Sequence, residues 1–259
     1  MPTATEYFGF HVTNVGPLTE TFTPAPSCND LPGLRGIASV SDNETTMYAP
    51  LSGCRFSSLE TECFPSASII NSIFASVRRA LDMGAVPYYS PAVACPSGWT
   101  TVGVATGGGG SSGDEGIITA VPTWGPGEQY PFVHVFSNVL DASETGAWCC
   151  PSDFKVNENG DCYSSLGPIS SYSVSEYCVV IISNENVVTV SSVEGTAITP
   201  PVVSLTPAET SLLTSIRTIF RAEVTDYIVV QEVPAVMMVY KESDLSGDSN
   251  GDDSGDSGD

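Results

Sequence analysis

Cys149 and Cys150 stand side by side in "GAWCCPSD", residues 146–153, and pose the first chemical question of the chain. Adjacent thiols could be a redox pair, part of a metal site, or the ends of two separate crosslinks. A reactive thiolate needs positive charge or a helix N-terminus to lower its pKa. The nearest charged residues are Glu144, Asp153 and Lys155, a net negative set. A bond between the neighbours themselves would strain the intervening peptide. The pair therefore reads as a structural junction, each cysteine bonded to a different, non-adjacent partner, with Cys95 and Cys162 as the candidates.

The other cysteines are Cys28, Cys54, Cys63 and Cys178, eight in all and none beyond residue 178. Eight allow 105 pairings, so connectivity cannot be read from spacing. There is no CxxC, and His11 and His134 are far from any zinc-ligand spacing. An oxidised framework is the better reading, and it implies an extracellular compartment. No metal and no cofactor are expected.

Other chemistry is thin. A Ser-His-Asp site needs a histidine base, yet His134 lies in the alternating "FVHVF" as a packed or surface strand residue, and no GxSxG occurs. The acids are scattered without a recognisable glycosidase motif. In the tail, Asp248, Asn250, Asp252 and Asp259 fall at EF-hand positions 1, 3, 5 and 12, but Asp253 stands where glycine is needed. A solvated acidic linker fits better. The glycine-rich stretch at 106–116 holds Asp114 and Glu115 and no following lysine, which opposes phosphate binding and suits a hairpin loop. Trp99, Trp124 and Trp148 could form a sugar platform, but two of them flank cysteines and read as core.

The 259 residues carry a formal charge of −22, with only 8 Lys and Arg. Seven of the acids lie between Glu242 and Asp259, so the body is acidic as well. Phosphate backbones and anionic lipid surfaces would be repelled, which argues against nucleic acid as a partner. No run of about 18 apolar residues exists, so no membrane span is expected within the chain. The N-terminal "MPTATEYFGFHVTNVGPL" has neither the basic nor the apolar region of a cleaved signal peptide.

These residues need a scaffold. Residues 1–27 read as an extended Thr/Pro-rich arm, and 28–66 as turn-rich with little periodicity. Asn43 opens an N-glycosylation sequon, Asn43-Glu44-Thr45. Ile69, Ile70, Ile73, Phe74, Val77 and Leu81 repeat at helical spacing and predict a helix over 67–83. Beyond Pro87, "WTTVGVA", "IITAV", "FVHVFSN", "CVVIIS" and "NVVTVSS" predict short strands. "TPAETSLLTSIRTIF" opens like a helix with a Thr206–Glu209 capping box, and "EVTDYIVVQEVPAVMMVY" reads as strand, Pro234, strand. "CPSGWT" at 95–100 and "CPSDFK" at 150–155 repeat one pattern, predicting two equivalent tight turns. The expected fold is mainly β, with α+β as the alternative. It is a disulfide-stabilised ectodomain over 28–240, divisible near 195–206, with one or two short helices and a disordered acidic tail over 241–259.

Five blocks occur in order: "GPLTETFTPAPSC" (16–28), "YYSPAVACPSGWTTVGVA" (88–105), "WCCPSDF" (148–154), "CYSSLGPISSYSVSEYC" (162–178) and "VPAVMMVYKESDLS" (233–246). In this the chain resembles a large family of ascomycete and basidiomycete fungal cell-surface proteins with no assigned activity. The resemblance spans most of residues 16–246. It implies a low-complexity stretch and a single membrane span after the "SDL" block, which would direct N-terminus-out insertion without a cleaved signal. This sequence departs from that pattern by stopping at Asp259, as a truncated gene model, a soluble paralogue or an ectodomain would. The function implied is a non-catalytic surface or secreted module in wall contact, adhesion or sensing, with wall glycan or another surface protein as partner. The alternative from another class is a secreted hydrolase acting on glycans, and a third is a cytosolic protein with free thiols.

Overall fold

Strand β7 (Thr145–Pro151) carries the two adjacent cysteines, and the fold is best followed outward from it. We describe a computed structural model over residues 6–7, 10–26, 34–41, 44–50, 63–77, 84–107, 136, 139–157, 160–181, 187–193, 196–205, 213–219 and 227–245. The chain is mainly β. A six-stranded sheet runs β1 (Glu6–Tyr7), β2 (Phe10–Asn14), β5 (Gly84–Tyr89), β15 (Val236–Tyr240), β7, β6 (Trp99–Thr106). Its β2–β5 and β5–β15 pairs are parallel and the rest antiparallel. A five-stranded antiparallel sheet runs β4 (Glu44–Pro50), β3 (Leu34–Ser41), β14 (Tyr227–Pro234), β9 (Asp161–Pro168), β8 (Lys155–Val156). Two ribbons complete the set, β10 (Glu176–Ile181) with β13 (Leu213–Thr218), and β11 (Val187–Val193) with β12 (Thr196–Leu205).

The central strands of the six-stranded sheet are buried on both faces. Side chains alternate across a strand, and β7 divides accordingly. Trp148 and Cys150 join Tyr88, Met237 and Val239 in a core shared with Val156, Cys162 and Val233 of the five-stranded sheet. Ala147 and Cys149 join Tyr89, Val236 and Met238 on the other face, against Phe64 and Ile70. Ile70 comes from α1 (Ala67–Val77), the predicted helix; residues 78–83 lie outside the described set. Double burial explains why "AWCC" and "VMMVY" are unbroken apolar runs rather than alternating ones.

The predicted strands at 99–105, 178–183 and 186–192 correspond to β6, β10 and β11, and the expected break falls just after Pro234, the last residue of β14, before β15. Two expectations are corrected. The helix expected over "TPAETSLLTSIRTIF" is, from Leu213 to Thr218, strand β13, paired residue for residue with β10. Its Thr, Ile and Arg suit a pleated ribbon, and the long-range partner decides over the local pattern. The proposed cap, Thr206 and Glu209, lies outside the described residues, as do "IITAV", residues 132–135 of "FVHVF" and the tail beyond Leu245, while Phe136 is helical where a strand is expected. A short α2 (Glu242–Leu245) follows β15, with Asp244 accepting a hydrogen bond from the Lys241 amide at 2.8 Å.

The repeated Cys-Pro-Ser motif builds two matching turns. Trp99 N–H donates to Pro96 O at 3.0 Å, and Phe154 N–H donates to Pro151 O at 3.0 Å. The third residue of each turn has positive φ, Gly98 at 80° and Asp153 at 70°. The turns also bond one another, because Ser152 donates to Gly98 O through both its amide and its hydroxyl, each at 3.1 Å. A Cβ on Gly98 would meet nothing within 4 Å, so only its backbone conformation demands glycine. Gly98→Ala should therefore cost about 1–2 kcal/mol, the penalty for a left-handed L-residue, while Asp153→Gly should stabilise; denaturant titration of both variants checks the pair.

Candidate functional site

Each of the adjacent cysteines is bonded across its own face of β7. Cys149 pairs with Cys95 and Cys150 with Cys162, the two candidate partners. The first bond closes 54 residues and ties the Cys95 turn to the sheet's helix-side face. The second closes 12 residues and ties the six-stranded sheet to β9 of the five-stranded one. Cys149, Cys150 and Cys162 are all fully buried, whereas Cys95 is half-buried. Cys63 and Cys178 are also disulfide-bonded, and no described cysteine is free. Cys28, Cys54, Asn43, His134 and Trp124 lie outside the described residues. His11 falls on β2 opposite Glu6, in register with Ala85.

Trp148 is fully buried on the Cys150 face of β7, edge-on to Phe136 at 5.5 Å, and Trp99 lies edge-on to Phe64 at 5.8 Å. Trp148 is thus a core residue, and half-buried Trp99 packs against the core. Glu144, 2% exposed, accepts from the Asp141 amide at 3.1 Å through its side chain. Its carbonyl accepts from Gly107 at 2.9 Å, so it closes the loop between β6 and β7. Burial, reinforced by the Glu144 charge, pushes the Tyr88 hydroxyl up to about 12. Burial likewise raises Tyr89, whose hydroxyl donates to Pro65 O at 2.6 Å and holds the start of α1.

Beside Cys162 lies a grouping that could act on a proton. In the β14–β9 register Glu232 stands opposite Tyr163 and Pro234 opposite Asp161, so Glu232 and Asp161 are diagonal neighbours. Diagonal cross-strand side chains share a face within mutual reach. Asn157, 1% exposed, joins them: its Nδ2 donates to Glu232 Oε1 at 3.0 Å, and its Oδ1 accepts from the Asp161 amide at 2.9 Å. Burial raises the Asp161 carboxyl well above its usual range, and the Glu232 charge adds to that. Burial raises Glu232 too, against the opposing bond from Asn157. Lys155, opposite Tyr163 in the β8–β9 pair, occupies the same row two strands from Glu232. Two like charges on neighbouring strands each disfavour the other's ionisation.

Sequence reasoning missed this pair, since nothing short of sheet register relates residues 161 and 232. Among the described residues, no three His, Cys, Asp or Glu side chains gather as a metal site would require. No described helix is long and apolar enough to cross a membrane. No protein-family model, curated protein or solved structure matches the chain.

The pair makes stability depend on pH with a definite sign. Both folded carboxyls bind protons more tightly than their ordinary values of 3.8 and 4.5. Their contribution is then fully present below pH 3.8 and lost as pH rises through the folded values. Glu232→Gln keeps an acceptor for Asn157 and removes one charge. Thermal melts between pH 4 and 7 should show a shallower loss of stability for this variant than for the parent chain; parallel curves would mean that folding does not raise Glu232.

Proposed function

We propose that the chain is a non-catalytic extracellular or cell-surface module of a fungal protein, serving wall contact, adhesion or sensing. One observation carries this reading: the junction at β7, where buried Cys149 and Cys150 crosslink opposite faces of the central sheet. Disulfides of this kind persist in oxidising compartments and are rare where thiols are kept reduced. The scaffold depends on them geometrically, because the second bond joins the two large sheets. The ordered sequence blocks support a fungal surface family, and the acidic surface supports a partner other than nucleic acid. Wall glycan or another surface protein is the partner class in keeping with that location.

A glycan hydrolase is the second reading, and the Asp161–Glu232 pair is the observation that favours it. Glycoside hydrolysis uses two carboxyls, one of them held protonated at working pH. Against that role, Glu232 is bound by Asn157, and both acids sit within a continuous antiparallel ladder that fixes them to neighbouring strands.

Two measurements separate these readings. Surface labelling of intact fungal cells bearing the tagged full chain should reach the protein without permeabilisation, and labelling only after lysis would contradict the location. Reducing-end release from wall glycans should be absent for both the parent and Glu232→Gln. Turnover by the parent that falls at least about 100-fold in the variant would establish the hydrolase instead.

A further inference from the structure

The segment from Thr19 to Pro26 belongs to no sheet, yet it is held in place. Leu18 bridges Ala92, donating to Pro91 O at 2.8 Å and accepting from Val93 at 3.1 Å. Four residues on, Phe22 O accepts from the Ser97 amide at 2.7 Å, and the ring packs against the helix-side core. Leu18 and Phe22 point inward, while Thr19, Thr21 and Thr23 are exposed.

Three features set these threonines apart. Their hydroxyls make no recorded hydrogen bond to the described residues, so they are not spent on holding the fold. They recur at every second residue, and all three are exposed. Pro24 and Pro26 follow at once, and neither can donate an amide hydrogen to a neighbouring strand. Exposed Thr100 and Thr101 differ on these counts, because both lie in the β6–β7 ladder and Thr101 Oγ1 sits 3.4 Å from Cys95 Sγ.

We propose that Thr19, Thr21 and Thr23 form an O-glycosylation site, accepting sugar residues from a phosphate-activated glycosyl donor. Threonine- and proline-rich extended stretches suit this modification because their hydroxyls stand clear of secondary structure. In the transfer, threonine Oγ1 attacks the anomeric carbon. The carbon–Oγ1 bond forms as the bond from that carbon to the donor phosphate breaks, and the phosphate departs with the electron pair. The hydroxyl proton passes to a base on the transferase. Neither the inward anchors nor the turn at Ser97 need move, so sugar at these positions leaves the fold intact. It would stand next to the half-buried Cys95, the more accessible end of the two mapped disulfides. The proposal rests on the extracellular reading, since that route supplies the donor and the transferase.

The test is site mapping on the full chain secreted from a fungal host, after enzymatic removal of N-linked glycan. Electron-transfer fragmentation of the peptide holding residues 17–26 should place hexose on at least one of the three threonines. Intact mass should fall by the corresponding hexose count in the triple variant Thr19→Ala, Thr21→Ala, Thr23→Ala. Bare threonines in protein whose cysteines are all oxidised would overturn the site and leave the extracellular reading standing. Bare threonines together with free thiols would overturn both.

Discussion

Everything in this structure depends on one geometric fact about a β-strand: consecutive side chains point to opposite faces. Cys149 and Cys150 are consecutive in β7, a strand covered on both sides. They are thereby forbidden a common partner and obliged to reach in opposite directions. One reaches Cys95 on the helix side and the other reaches Cys162 in the second sheet. A single strand thus fastens three layers. The two Cys-Pro-Ser turns serve the same end. They deliver Cys95 and Cys150 into position by one backbone device and then bond to each other through Ser152 and Gly98.

The polar groups near this junction are spent on order. Glu144 closes the turn ahead of β7, and Asn157 ties the β8–β9 hairpin to β14. Chain crossings between the sheets occur close by, at Pro151–Phe154 and at Pro234–Ala235. Asp161 stands opposite Pro234 at the second crossing, and Glu232 lies two residues before it. The second crossing therefore also carries two carboxyls whose proton affinity the fold raises.

Much of the scaffold was legible in the sequence where the signal is local. The helix at 67–77 showed in its isoleucine spacing, and the turns showed in the repeated Cys-Pro-Ser. The negative surroundings of Cys149 and Cys150 pointed to structural bonds. Strands β3 and β4 were not legible, because "LRGIASVS" and "ETTMYAP" mix small, polar and charged residues and owe their form to pairing with β14 and with each other. Strand β13 was misread because Leu213 and Ile216 also fit a helical stripe, and only its long-range partner β10 resolves the ambiguity. The Asp161–Glu232 pair was invisible for a related reason. Neither acid stands in a motif, and their meeting is a property of the β9–β14 register alone.

The measurement that bears most directly on this account is disulfide mapping of the oxidised chain. Cys149 and Cys150 cannot be separated by ordinary proteolysis, so the crosslinked product is the readout. The account predicts one three-peptide species in which the Cys149–Cys150 peptide holds both the Cys95 peptide and the Cys162 peptide. In Cys150→Ala it predicts retention of the Cys95 link and a free Cys162. A Cys149–Cys150 bond, or a Cys95–Cys162 bond, would contradict it.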